Sequence, residues 1–199
     1  MNKKIVFDLG GVILDFDHTI ITKKLSKISG FQELEIFEFI FKSGLEKDYD
    51  TGKISSIFFY EKIIDYLKVK LTYEDFFSIW NNIFFEKYEI SEFIKQIYKN
   101  YDIYLLSNTN KEHFNYCLKQ FPILKNFKNY FLSYEIGFRK PDKRIFLYMI
   151  DELKVLPNEI LFIDDIEENI ISAKNIGLKT IYFKDYNQFY IEFSKYNSI

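Results

Sequence analysis

The stretch that decides the fold is Lys4-Ile5-Val6-Phe7-Asp8-Leu9-Gly10-Gly11-Val12. Its apolar run is short, continuous and closed by an acid and two glycines. That is the signature of a strand buried on both faces of a parallel sheet, not of a half-solvated strand that alternates. Similar runs recur along the chain. Ile103-Tyr104-Leu105-Leu106 runs into Ser107-Asn108, and Ile160-Leu161-Phe162-Ile163 into Asp164-Asp165. Tyr130–Leu132 and Thr180–Phe183 are further strand candidates. Helical spacing of apolar residues fills the intervals Glu92–Lys99, Lys111–Gln120, Lys143–Leu153 and Glu168–Ile176, and Gly177 is placed to stop the last of these. Strands alternating with helices predict an α/β fold: a three-layer, Rossmann-like core around a parallel sheet.

One interval breaks the rhythm. The chain between Gly10 and Ile103 is about three times longer than a single βαβ step requires. Apolar residues recur there at helical spacing, as in Leu34, Ile36, Phe37, Ile40 and Phe41, and again over Ile54–Leu67 and Tyr73–Phe85. Gly30, Gly44 and Gly52 mark the breaks. The reading is therefore a core of residues 1–16 and 87–199 with an all-helical subdomain, 17–86, inserted after the first strand.

Composition narrows the function. With 199 residues, the chain has room for one core and one inserted subdomain. Lysine and arginine total 27 against 29 acids, a net charge of −2, which disfavours a nucleic-acid binder acting through bulk charge. One cysteine, Cys117, excludes an internal disulfide framework and fits a reducing, cytoplasmic compartment. No apolar run approaches the roughly 18 residues of a membrane span, and the N-terminus lacks a signal peptide's apolar stretch. Aromatics make up 20% of the chain, and the only alanine is Ala173. Phe, Tyr, Ile, Lys and Asn share A/T-rich codons, so this bias is expected to fill the core with rings rather than to build base-stacking platforms.

The chemistry sits where the strands end. In open α/β sheets ligands bind at the carboxyl ends of strands, and three such ends here carry Asp8, Ser107-Asn108 and Asp164-Asp165. Carboxylates gathered together repel unless a cation or base lies between them. Oxygen ligands with few histidines point to a hard cation, with Mg²⁺ the natural choice. A fourth segment, Phe138-Arg139-Lys140-Pro141-Asp142, offers a base, with Pro141 suited to open the next helix. No GxxxxGK[ST] segment is present, which excludes a P-loop enzyme.

Taken in order, Asp8-Leu9-Gly10-Gly11-Val12, Leu106-Ser107-Asn108-Thr109, Arg139-Lys140-Pro141 and Phe162-Ile163-Asp164-Asp165 resemble the four motifs of the haloacid dehalogenase-like hydrolase superfamily. More narrowly they are similar to the bacterial α-D-glucose-1-phosphate phosphatases and to the phosphatase domain of soluble epoxide hydrolases. The resemblance implies phosphoryl transfer through an aspartyl-phosphate, with Asp8 as nucleophile. Mg²⁺ would lie on Asp8, the Gly10 carbonyl and Asp165, with Asp164 behind them. Ser107 and the Asn108 N–H would hold phosphate oxygens at a helix start, and Lys140 would neutralise both phosphate and Asp8. It also implies that the helical insertion is a cap over the site. The partner expected is a small phosphorylated metabolite such as a sugar phosphate, for a monomer or homodimer that binds neither nucleic acid nor membrane.

One position departs from the phosphatase pattern. Family phosphatases usually carry an Asp two residues after the nucleophile, to protonate the leaving group; here that residue is Gly10. An anomeric phosphate leaves as a less basic oxygen and needs less help, so glucose-1-phosphate suits the departure. Asp15, Asp17 and His18 are substitute acids by position, and Gly10→Asp is expected to speed turnover of alkyl phosphates. Glu46, Tyr49 and Thr51 are candidate sugar contacts, while His113 and Cys117 read as structural. Two alternatives stay open: a metal-independent 2-haloacid dehalogenase, and a weakly catalytic member that binds a phospholigand or a protein.

Overall fold

A computed structural model describes residues 3–197; the first two and last two positions of the expected core lie outside it. Five parallel strands form the main sheet: β1 (Lys4–Phe7), β4 (Asp102–Ser107), β5 (Asn129–Leu132), β6 (Ile160–Asp164) and β7 (Lys179–Tyr182), in the order β5-β4-β1-β6-β7. Alternation within each strand sends side chains to opposite layers. Ile5, Phe7, Ile103, Leu105, Leu161 and Ile163 pack with Phe93, Phe114 and Phe189, from the helices α6 (Tyr88–Ile97), α7 (Lys111–Gln120) and α11 (Tyr186–Asn197). Val6, Leu106 and Phe162 pack with Phe146 and Ala173, from α9 (Lys143–Leu153) and α10 (Glu167–Asn175). The sheet is thus buried on both faces, as its unbroken apolar runs require.

β1 lies in the middle, so its two neighbours bring their carboxyl ends beside its own. The register sets Phe7 opposite both Leu105 and Ile163. Asp8 consequently emerges beside Asp164 and one step from Ser107, and its N–H donates to the Ile163 carbonyl at 2.9 Å.

Between β1 and β4 the chain makes a narrow antiparallel ribbon, β2 (Leu14–Phe16) against β3 (Phe84–Glu86), and between those two strands it is helical. The elements are α1 (Thr19–Ser29), α2 (Glu33–Phe37), a wide π-type turn (Glu38–Lys42), α3 (Leu45–Asp50), α4 (Ser56–Leu67) and α5 (Tyr73–Asn81). They enclose their own core of Ile21, Leu25, Ile40, Phe59, Phe76 and Trp80. The helix expected over Tyr73–Phe85 ends at Asn81 instead, because Phe84–Glu86 is taken up as the ladder partner of Leu14–Phe16.

Two seams join this helical region to the sheet domain. In one, Gly52 (φ +67°) lies so close to α8 (Ser133–Ile136) that a Cβ would sit 2.1 Å from the Tyr134 carbonyl oxygen. In the other, His113 Nε2 reaches the Trp80 carbonyl at 3.0 Å, and Tyr73 donates to Glu112 at 3.0 Å. Among the described residues no helix is long and apolar enough to cross a membrane.

Candidate active site

Lys140 is the centre of the site. Its ammonium is buried and spends all three donors: on Asp164 Oδ2 at 2.7 Å, Asp8 Oδ1 at 2.8 Å and the Leu106 carbonyl at 2.9 Å. It is held there through its backbone. Asn108 Nδ2 donates to the Lys140 carbonyl at 2.9 Å while the Lys140 N–H donates to Asn108 Oδ1 at 2.8 Å. The strand end that carries Ser107-Asn108 therefore fixes the lysine that neutralises the other two ends.

Asp164 is saturated. Besides Lys140 it accepts from Asn169 Nδ2 at 3.0 Å and from the Ile166 N–H at 2.8 Å. Asp8 is not: Leu9 N–H donates to its Oδ1 at 2.7 Å, as Lys140 does, and Oδ2 has no donor among the described residues. Asp8, Asp164 and Asp165 each offer a carboxylate oxygen within 4.8 Å of the others. Burial pushes Asp8 up to about 8, helped by the charges of Asp164 and Asp165 and opposed by Lys140. Burial and the Asp164 charge likewise raise Asp165. Burial works against the charge on Lys140, but Asp164 and Asp8 outweigh it and hold its pKa above the usual lysine range. One ammonium among three carboxylates leaves negative charge uncompensated, and an all-oxygen donor set in that state suits a hard divalent cation.

The double glycine has two separate reasons. A Cβ on Gly11, whose φ is +77°, would lie 2.0 Å from Asp165 Oδ2. A Cβ on Gly10 would lie 2.7 Å from Cε1 of Phe16, whose ring occupies the space where a side chain at position 10 would begin.

Asp8, Gly10, Ser107, Asn108 and Asp165 floor a cavity of about 200 Å³, lined also by Phe16, His18, Glu46, Asp50, Phe84, Arg139 and Ile166. A model of the family described as haloacid dehalogenase-like hydrolase matches residues 5–183, the whole span from β1 past β7.

The chain belongs to the haloacid dehalogenase-like hydrolases.

This hydrolase is 32% identical over 188 residues to a D-ribitol-5-phosphate phosphatase of Bacteroides thetaiotaomicron, covering 90% of the chain and 91% of the relative. Among solved structures it resembles a HAD family enzyme of the same organism in complex with magnesium and inorganic phosphate (TM-score 0.84, 28% identity, 92% of this chain and 95% of that one). It also resembles a HAD-like hydrolase of Porphyromonas gingivalis (TM-score 0.77, 29% identity, 91% and 90% covered).

Asp8, Gly10, Ser107, Asn108, Asp165 of the expected site all line the one cavity, and Lys140 and Asp164 lie directly beneath it. α7 spans Lys111–Gln120 as expected, with Asn110 as its N-cap accepting from the His113 N–H at 3.0 Å, so Ser107 and Asn108 lie in the turn before it. The expectation that Pro141 opens the next helix is corrected. α9 begins beyond Pro141, capped by Asp142, which accepts from the Arg144 N–H at 2.9 Å. Asx side chains take the N-cap in both cases because they can bond the first free amides while the backbone is still extended.

Around the rim the outcome is mixed. Asp15 is exposed and paired with Lys87 at 2.8 Å, and Asp17 accepts from the Thr19 N–H at 2.8 Å, so neither serves the cavity. Tyr49 turns into the helical core, stacked on Phe59 and donating to Ser56 at 2.9 Å, while Thr51 donates to the Lys47 carbonyl at 2.8 Å. His18 and Glu46 do face the cavity. Buried His113, pushed down to about 3 by desolvation, is neutral; its Nε2–H donates to Trp80 and its Nδ1 accepts from Asn110. Cys117 is buried, and burial raises its thiol, so it is inert packing.

Asp50 makes contacts that the motifs did not announce. Asp50, on α3, accepts from Asn110 Nδ2 at 3.1 Å and lies 3.8 Å from Arg139, and Ser133 Oγ donates to its carbonyl. A buried acid of the helical region is thereby tied to three segments of the sheet domain.

Proposed function

We propose that this hydrolase is a Mg²⁺-dependent phosphatase of a small phosphorylated sugar or polyol, with the helical region 17–86 as its cap and core residues 1–16 and 87–199 below. The observation that carries the reading is the Lys140 ammonium shared between Asp8 and Asp164 with Asp165 alongside. A displacement at carbon has no use for three converging carboxylates, whereas the same set can hold the divalent cation that lets a phosphate dianion approach.

In this reading Asp8 Oδ2, the oxygen without a donor, attacks phosphorus; the bond to the leaving oxygen breaks, and the aspartyl-phosphate so formed is then hydrolysed by water. Lys140 aligns Asp8 and opposes the rise in its pKa that burial causes. Ser107 and the Asn108 N–H bind phosphate oxygens, the Asn108 side chain being already occupied with Lys140. Asp8, Asp165 and the Gly10 carbonyl would hold Mg²⁺, which when bound supplies the positive charge that lets an anion approach an anion. With a single buried cysteine, the protein is read as cytoplasmic.

The relative from B. thetaiotaomicron acts on D-ribitol-5-phosphate, whose leaving oxygen is a primary alkoxide, whereas glucose-1-phosphate leaves from the anomeric carbon. Phosphate release should be measured from p-nitrophenyl phosphate, α-glucose-1-phosphate and D-ribitol-5-phosphate, with and without Mg²⁺. Release is expected to require the cation and to fall on the order of 10⁴-fold or more in Asp8→Asn. Release that survives Asp8→Asn overturns the reading.

A further inference from the structure

The helical wall of the cavity carries two half-buried polar side chains, His18 and Glu46, that are unpaired within the protein among the described residues. His18 is fixed by its ring: it stacks on Phe41 with centroids 4.4 Å apart and leans on Phe16 at 5.0 Å. Its Nε2 lies 3.9 Å from Glu46 Oε1, too far for a hydrogen bond. Neither side chain has a hydrogen-bond partner among the described residues, though both are largely buried, with 27% and 19% of the side-chain surface exposed. Half-buried polar groups left unpaired cost stability, so their placement over the phosphate floor calls for a ligand group that pairs with them.

We propose that His18 and Glu46 are specificity-determining residues that read a hydroxyl group on the leaving part of the substrate, selecting a polyol or sugar phosphate over a plain alkyl phosphate. The proposal rests on the phosphatase reading above. It follows from what each group offers. Burial pushes His18 down to about 4, so the ring is neutral at physiological pH, with one donor and one acceptor nitrogen. Burial and the nearby Asp50 charge push Glu46 up, against the pull of Arg139 and Lys42. A protonated carboxyl is also a donor and an acceptor. Two such groups side by side match hydroxyls, which donate and accept at once.

Phe16 completes the reader. Its ring fills the space above Gly10 and flanks His18, giving the carbon face of a sugar or polyol an apolar surface beside the two polar groups.

The test compares kcat/KM for glycerol-3-phosphate and D-ribitol-5-phosphate with that for n-propyl phosphate, which has no hydroxyl, all with Mg²⁺. The wild type should favour the hydroxylated esters by about 10–10²-fold. His18→Phe and Glu46→Leu should each bring the ratio to within about threefold of unity, chiefly through KM. Glu46→Gln keeps a donor and an acceptor without the charge. It should preserve the ratio and abolish the wild type's loss of preference as pH rises past the point where Glu46 ionises among Asp50, Arg139, Lys42 and His18. An unchanged ratio in Glu46→Leu and His18→Phe, or an equal loss on every ester, overturns the proposal while leaving the phosphatase reading intact. No Asp8-dependent release from any ester overturns both.

Discussion

The floor of the cavity and the wall that the helical region contributes both bury carboxyl groups, and they surround them differently. On the floor, Asp8 and Asp164 share a lysine and, with Asp165, form a set suited to a cation. On the wall above, Asp50 faces Arg139 at 3.8 Å, and among the described residues Glu46 has no lysine or arginine within ion-pair distance, only the neutral imidazole of His18 at 3.9 Å. The floor gathers three carboxyl groups around one ammonium, a set that suits a divalent cation and through it phosphate; the wall above offers side chains unpaired within the protein to what the phosphate is attached to.

Removing Lys140 should break that arrangement most severely. Lys140→Met leaves Asp8 and Asp164 buried without their counterion, and the expected loss is about 3–5 kcal/mol of stability, read from the denaturant midpoint. A loss below about 1 kcal/mol would mean that the floor does not depend on the lysine for its charge balance.

A smaller effect should separate the two walls by pH. Asp8 and Glu46 both have raised folded-state values, near 8, so the folded protein holds protons that the unfolded chain has already released. Stability from such groups falls as pH rises. The buried histidines His18 and His113, both pushed down, act oppositely, but only below their unfolded value of about 6.5. Between about pH 6.5 and 8 the carboxyls alone decide, and the metal-free protein should lose roughly 1.5 kcal/mol from each of the two groups, seen as a falling Tm. Mg²⁺ should remove the floor's share by replacing the proton on Asp8, and Glu46→Gln should remove the cap's share. A Tm that does not respond to Mg²⁺ at pH 8 would contradict the cation assignment.

Moving an acid from one wall to the other should give the smallest change. Gly10→Asp supplies the carboxyl usual in family phosphatases, but its Cβ meets the Phe16 ring. The expectation of faster alkyl-phosphate turnover is therefore sharpened: the gain, roughly tenfold and at the low end of general acid catalysis, should appear in Gly10→Asp/Phe16→Ala and be largely absent from Gly10→Asp alone. An equal gain in both would show that the ring gives way freely.

Legibility followed the range of the interactions. Asp8, Lys140, Asp164 and Asp165 could be found in the sequence because each lies at or just beyond the end of a short apolar run or beside a proline, and a parallel sheet brings such ends together. The β2–β3 ribbon escaped notice, since strands of three residues carry too little periodicity to outweigh the helical pattern running into Phe84 and Phe85. Tyr49 and Thr51 looked like sugar contacts beside Glu46, yet consecutive helical positions face different directions, and only Glu46 of the three turns to the cavity.

The sequence by itself determined the α/β core, the helical insertion and the order of the four motif segments, because these depend on local periodicity and on strand ends that any parallel sheet gathers. Only the tertiary structure decided that Phe16 stands where a side chain on Gly10 would begin, that Asp50 ties the helical region to Asn110 and Ser133, and that His18 meets Glu46 above the phosphate floor. Those contacts join segments with no common periodicity. Their distances depend on how two separately packed cores are set against each other, which no local pattern encodes.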